Sequence, residues 1–468
     1  MLFNSTVFLL FALVFFATWR LLRGRKKARL AFLIVASFFF YGWWNWRYVF
    51  LLLYTGLIDF SAGLLMGRYP ARKKLWLVLS LCGNVGALAT FKYLGFVTGS
   101  VNTGLALVGW HFRLPVYSLV LPVGISFYTF ESLSYTVDIY RGETRPTRDP
   151  LQFFSFLSLF PHLVAGPIIR PRDLMPQLAA EANPTPQQWW DGLKLIAQGF
   201  FKKMVIADQL AWLVNTAFAD TVPVQSAPYW WLVTTAFAFQ IYCDFSGYTD
   251  IARGLAKWMG YEFPVNFDHP YISTSLREFW TRWHISLSSW FRDYVYIPLG
   301  GSRKGAWAGH RNMWLTMLLS GLWHGAAWHF VIWGGLHAFY VSSERITEWP
   351  KRLSRLPGGR GLSCALVTLL VWVGWVFFRA QSATRAVGLL SIMFSPSAWN
   401  LSALAPMLPA LPFLLIGIVW ELWFLLGLDR AQWAQRAGLR LEPAVIAALL
   451  VASIYLRGSG EAFIYFQF

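Results

Sequence analysis

The stretch GLWHGAAWHFVIWGGLHAFY, residues 321–340, sets His324, His329 and His337 among tryptophans, glycines and aliphatic side chains with no acid and no base between them. It is apolar enough to lie in lipid. An ionised group near a bilayer centre costs on the order of 2.5–3.5 kcal/mol on insertion scales, so a polar residue at that depth faces a cavity or a partner. Glycines 321, 325, 334 and 335 loosen the helix on both sides of the His324–His329 interval, and basic connections flank 313–342 at both ends. Two helices meeting at depth satisfy that charge pattern, with His324 near their turn. For His324 the functional reading leads over that of a hydrogen-bonded core histidine. For His329 and His337 the order is reversed.

The rest of the chain agrees with a membrane setting. Its 468 residues are 56% hydrophobic and 13% charged, against roughly 25% charged residues in soluble domains, and its mean hydropathy is +0.46. Apolar runs near the roughly 20 residues that cross a bilayer recur at about 4–19, 30–43, 48–66, 75–97, 116–140, 204–218, 229–245, 313–342, 363–378, 409–427 and 443–457. About nine to twelve helices in one membrane domain, 1–468, are expected. The first run has no basic residue before it and no Ala-x-Ala-like cleavage site, so it reads as a retained membrane helix.

Charge sets an orientation. The first, third and fifth connections carry thirteen Lys/Arg, from Arg20 to Arg148, and the second and fourth only Arg47 and Arg113. By the positive-inside rule the odd connections are cytoplasmic and the N-terminus is periplasmic. The net charge of +18 therefore expresses topology and attraction to anionic lipid headgroups, and no nucleic-acid partner is expected.

Two segments break the alternation of spans. LQFFSFLSLFPHLVAGPIIR, 151–170, is short, carries Pro161, Gly166 and Pro167, and is bounded by Arg148 and Arg170. It reads as a re-entrant segment, and broken backbone at depth is tolerated only inside protein or beside a wet cavity. The connection 262–311 is basic and aromatic. Within it SLREFWTRWHISLSSWFRDYVY places Leu276, Phe279, Trp280, Trp283, Leu287, Trp290, Phe291 and Tyr294 at helical steps, which predicts an amphipathic helix in the interface.

Several chemistries are excluded. His324 and His329 are five apart rather than i, i+4 and have no nearby acid, so no metal centre is expected. Cys82, Cys243 and Cys364 are odd in number and widely spaced, which indicates neither a disulfide framework nor zinc. No G-x-S-x-G elbow, Walker A loop or dinucleotide fingerprint occurs in a strand-to-helix context. Ion-coupled transport stays open through Asp59, Asp244, Asp250 and Glu421, although no pair of matching interrupted spans marks two similar halves.

The block from Tyr242 to Gly301, YCDFSGYTDIARGLAKWMGYEFPVNFDHPYISTSLREFWTRWHISLSSWFRDYVYIPLGG, together with GLWHGAAWHFVIWGGLHA, resembles the membrane-bound O-acyltransferase family, in the bacterial branch typified by alginate O-acetylation. LPVGISFYTFESLSYTVDIYRGE from Leu121, FPHLVAGPIIRPRDL from Phe160, QGFFKKMVIAD from Gln198 and the closing FIYFQF extend the likeness nearly end to end. The resemblance implies an all-α, polytopic fold around a central tunnel, in which a cytoplasmic acyl thioester, here acetyl-CoA, gives its acyl group to a hydroxyl on the far side. It makes His324, in its W-H-G context, the catalytic histidine, His284 the second histidine, and Asn266 a polar position near the donor's entrance. Asp244 joins them on the donor side. Arg277, Arg282, Arg292, Arg303 and Lys304 are the cytoplasmic cations available to coenzyme A phosphates. No resident cofactor is implied.

The branch further implies O-acetylation of a polysaccharide such as alginate, cellulose or peptidoglycan at the bacterial inner membrane, through a periplasmic SGNH-type acetyltransferase partner with its own catalytic serine. Acyl transfer to a lipid or protein acceptor is the alternative. Asp268, His269 and Cys243 depart from the pattern, where Asn, Gln or Arg, and an aromatic residue are expected.

Overall fold

The computed structural model describes residues 1–181, 183–219, 222–428, 432–460 and 463–464, with the backbone alone for 432–440. Of the closing FIYFQF only Phe463 and Ile464 fall among the described residues. Helices make up the chain and no β-strand occurs among the described residues. In lipid every backbone N–H and C=O must find a partner within the protein, which a helix achieves along its own length.

Most of the expected runs are helices. Those at 4–19, 30–43 and 48–66 form Thr6–Leu21, Lys26–Gly42 and Arg47–Arg68, and that at 75–97 continues from Lys73–Leu88 through a wide turn into Leu94–Leu107. The run at 116–140 is helical only from Ile125 to Arg141. Pro122 lacks a backbone donor, and Gly124 stands at φ 79, a left-handed conformation open to glycine, immediately before the helix. Arg47–Arg68, Pro70–Leu107, Gly359–Arg379 and Ser402–Leu425 are long and apolar enough to cross a membrane. The protein is an all-helical, multi-pass membrane protein.

The chain forms two compact units, Met1–Ile196 with Ile251–Pro264, and Ala197–Asp250 with Val265–Phe468. In the first, Phe160 packs against Phe8, Phe11, Phe15 and Phe40. The 151–170 segment breaks into the helices Pro150–Ser158 and Phe160–Leu163 and an extended run to Arg170. Its freed backbone is satisfied from inside the protein. Ser37 accepts the Phe160 N–H at 3.2 Å, and the Glu131 carboxylate accepts the Ile169 N–H at 3.0 Å while lying 2.9 Å from Nδ1 of His162. Asp59, one of the acids behind the transport reading, is enclosed by Ser80, Asn84 and Ser132, which all donate to its carboxylate.

In the second unit the 313–342 run forms two helices, Ala306–His324 and Trp328–Thr347, broken at Gly325. They lie so close that a Cβ on Gly321 would collide with the Phe330 carbonyl oxygen, and one on Gly334 with the Met317 carbonyl oxygen. Small residues of this kind let membrane helices approach to backbone contact. Gly359–Arg379 packs against Trp328–Thr347.

The amphipathic helix expected over 275–296 needs correction. It is two short helices, Leu276–Arg282 and Ile285–Phe291, followed by a wide turn at Arg292–Tyr296. Its aromatic stripe is covered by protein: Leu276, Phe279, Trp283, Leu287, Trp290 and Phe291 are all buried. Trp283 is extended and His284 left-handed, so the axis turns where helical periodicity predicts continuity.

Candidate functional site

All the residues named as candidates for acyl transfer belong to the second unit. His324 is the last residue of Ala306–His324, and the chain leaves the helix at Gly325, where any Cβ would strike the Phe330 ring. The imidazole is buried at 4% exposure. It meets the rings of Trp323 at 5.0 Å, Trp333 at 5.0 Å and Phe378 at 5.2 Å, all near perpendicular. His324 is thus held by aromatic faces at the mouth of a helix break. A helix end has carbonyls with no intrahelical partner, so this position combines an apolar wall with local backbone polarity.

His284 is set by a different device. Ser275 accepts the Glu278 N–H at 3.0 Å and Glu278 accepts the Thr274 N–H at 2.8 Å, a reciprocal cap that starts Leu276–Arg282. Glu344, on Trp328–Thr347, accepts the backbone N–H groups of Leu276 and Arg277 and ties that helix start to the histidine-bearing pair. After Trp283 the chain turns at His284, whose φ of 43 is costly for a residue with a Cβ. Backbone bonds from Asp268 N–H to Arg282 O, 3.0 Å, and from Ile285 N–H to Asn266 O, 2.9 Å, hold the turn from outside.

The Asn266 side chain then fixes the imidazole. Its Oδ1 accepts from the Ser286 N–H at 3.1 Å and the Ser286 hydroxyl at 2.9 Å, and lies 3.2 Å from His284 Nδ1. A backbone N–H must donate, so the oxygen of the amide faces this point, and His284 Nδ1 must carry the proton it shares with that oxygen. The lone pair of neutral His284 is on Nε2. Burial pushes the imidazole down to about 3. The ring packs on Phe245 at 4.6 Å, Phe267 at 6.1 Å and Trp323 at 6.2 Å. Trp323 therefore touches both His284 and His324.

The sequence of this region now has its structural counterpart, and comparison with known families decides its class. The family described as "MBOAT, membrane-bound O-acyltransferase family" matches residues 141–382. The chain belongs to the membrane-bound O-acyltransferase family. It is an acyltransferase. It is 42% identical over 409 residues to "Probable alginate O-acetylase AlgI" of Pseudomonas putida, covering 86% of this chain and 82% of that protein. It is 34% identical over 429 residues to a peptidoglycan O-acetyltransferase of Helicobacter pylori, covering 84% and 80%. A teichoic acid D-alanyltransferase of Bacillus subtilis is 29% identical over 333 residues, covering 66% and 83%. The resemblance to the alginate O-acetylation branch is thereby upheld.

The remaining candidates separate from the two histidines of this membrane-bound O-acyltransferase. Asp244 lies 2.8 Å from Lys203 Nζ and accepts the Ile464 N–H at 2.7 Å, and Lys203 also meets Asp208 at 2.7 Å. Arg282 is engaged by Asp268 at 3.1 Å and Glu278 at 3.0 Å, and Arg292 by Asp293 at 2.6 Å. Arg277 is exposed on the first turn of its helix. His329 donates from Nδ1 to the Phe377 carbonyl at 3.0 Å, a satisfied core histidine. His269 pairs with Glu421 at 2.9 Å and stacks on Phe424 at 3.6 Å. Sequence reading overlooked Lys203, Glu344 and the aromatic neighbours of His324. Of these only Trp323, adjacent to His324 in the W-H-G motif, carried a signal.

Proposed function

We propose that this membrane-bound O-acyltransferase moves acetyl groups from cytoplasmic acetyl-CoA across the bacterial inner membrane for O-acetylation of an extracytoplasmic polysaccharide, through a periplasmic acetyltransferase partner of the SGNH type. The observation that carries the reading is the pair of buried histidines, His284 and His324, both packed against Trp323. The names of the alginate and peptidoglycan O-acetylating relatives support the acetyl group and the polysaccharide class.

In the proposed reaction His324 takes the proton of an acceptor hydroxyl. The hydroxyl oxygen forms a C–O bond to the thioester carbonyl carbon, the C–S bond breaks, and the proton passes to the departing thiol. An imidazole, which can both accept and return a proton, suits both halves of that transfer. His284, with Nδ1–H held by Asn266, presents Nε2 as an acceptor on the donor side and orders the thioester arm. The aromatic walls keep water from the thioester and strengthen the polar contacts made there. Arg277, Arg282 and Arg292 are the cations offered to the coenzyme A phosphates, the latter two after release from their carboxylates. The N-terminus is periplasmic in this reading.

The test is acetyl-CoA turnover by the purified protein in nanodiscs, read as released coenzyme A, with wild type and His324→Ala. Removal of a general base costs about 10²–10⁴ in rate, so a folded His324→Ala protein should fall by that factor. Equal turnover would take His324 out of the chemistry and reopen transport.

A further inference from the structure

His337 departs from the expectation of a satisfied core histidine. It is 1% exposed, and neither Nδ1 nor Nε2 has a hydrogen-bond partner among the described residues. The rings about it are Trp333 at 4.8 Å, Trp280 at 5.0 Å, Tyr340 at 5.7 Å and Phe279 at 6.3 Å. The indole N–H groups of Trp280, Trp333 and Trp375 are likewise without a partner there. Buried polar groups in native proteins are nearly all hydrogen-bonded, and each one left unmade costs folding free energy. Here five such atoms gather in one patch.

The patch continues the site. Trp333 touches both His337, at 4.8 Å, and His324, at 5.0 Å. Trp280 is half-buried where the others are buried. The members are uncharged rings, three of them pure donors and one, the imidazole, a donor and an acceptor together. Such a set matches a neutral ligand rich in carbonyl oxygens with an occasional N–H. A methyl group added at Gly374 would stand 3.0 Å from His337 Nε2 and 3.5 Å from Trp333 Nε1.

We infer that His337, with the indole N–H groups of Trp280 and Trp333, binds the neutral amide and carbonyl groups of the acyl donor's arm and so positions the thioester carbon against His324. The inference rests on the proposed use of an acyl thioester. The carbonyl oxygens accept from the indoles, and an amide N–H donates to the imidazole nitrogen that lacks a proton. His337 is a positioning residue in this scheme, and the ring patch reads the uncharged part of the donor.

Two donors test it in nanodiscs: acetyl-CoA and S-acetyl-N-acetylcysteamine, which keeps the thioester and one amide and lacks phosphates. Equilibrium binding and KM against kcat are measured for wild type, His337→Leu, His337→Gln and Gly374→Ala, with thermal stability as the folding control. His337→Leu and Gly374→Ala should weaken binding and raise KM about tenfold for both donors, the loss of roughly one hydrogen bond. The acceptor KM should stay unchanged, and His337→Gln should recover most of the loss. His337→Leu should be at least as heat-stable as wild type, since an orphaned polar group has been replaced by an apolar one. Donor affinity unchanged in both His337→Leu and Gly374→Ala would overturn the inference while leaving the thioester reading intact, as would a defect confined to the acceptor. Should wild type neither bind nor turn over either thioester, the proposed function falls and the inference with it. Gly374→Ala carries the test if the His337 variants do not fold.

Discussion

Asn266 does more for His284 than proximity does, because one carboxamide oxygen receives three donors. Asn266→Leu would orphan the His284 Nδ1–H, the Ser286 N–H and the Ser286 hydroxyl together. A loss of about 2–3 kcal/mol follows from the usual cost of unmade buried hydrogen bonds, to be read in chemical denaturation in detergent, with coenzyme A release falling in parallel. The His284 imidazole also fixes a pH dependence. Its folded value is about 3, below the ordinary value near 6.5 of an unfolded chain. Above that ordinary value neither state is protonated and nothing is lost; as pH falls from there toward the folded value the unfolded chain takes a proton the folded one refuses, and stability drops. His284→Gln removes that drop, so its loss between about pH 7 and pH 5 should be smaller than that of wild type by about 2 kcal/mol. The family resemblance pointed to Asn266 and His284 individually. Their hydrogen bond, and with it the tautomer, depends on a left-handed turn that no periodicity encodes.

Two helical elements carry the site, and each departs from its sequence pattern for a local reason. The break after His324 was legible, because glycines crowd the 321–335 interval. The role of Gly321 was not, since it serves a backbone approach to Phe330 rather than flexibility. Gly321→Ala should cost about 2 kcal/mol by overpacking, measured as a lowered unfolding midpoint, and should reduce turnover by displacing His324 on the same helix. The aromatic stripe at 276–294 was legible as helical periodicity and was read as a helix in the membrane interface, whereas Leu276, Phe279, Trp283, Leu287, Trp290 and Phe291 are buried inside the protein. Its interruption at His284 was hidden because contacts from Asn266 and Asp268, distant from it along the chain, hold the backbone out of the helix.

At the scale of the molecule, buried charge has been neutralised inside the protein. Lys203 sits between Asp208 and Asp244, and Lys202 lies 2.7 Å from Asp250. Breaking a buried ion group by removing one partner costs about 3–5 kcal/mol, whereas replacing all of it by neutral residues of similar shape is far less damaging. Lys203→Met should therefore lower stability by about that amount, and Lys203→Met with Asp208→Asn and Asp244→Asn should recover much of it in the same unfolding assay. Asp244 and Asp250, which suggest an ion path when read along the chain, have lysine partners distant in sequence, 48 residues away for Asp250.

Composition and hydropathy were sufficient for the multi-pass helical class, because the bilayer leaves a chain of this kind only helices to satisfy its backbone. Long local motifs were sufficient for the family and for His324 and His284 as the residues to watch, because motif identity is a property of contiguous sequence. The tertiary structure alone decided that Asp244 is spent on Lys203, that Asn266 sets the proton on His284, and that His337, unlike His329, has no hydrogen-bond partner among the described residues. Those outcomes depend on which side chains meet across helices. Hydrogen bonds and ion pairs form over a few ångströms in space, and nothing in the spacing along one chain fixes that distance.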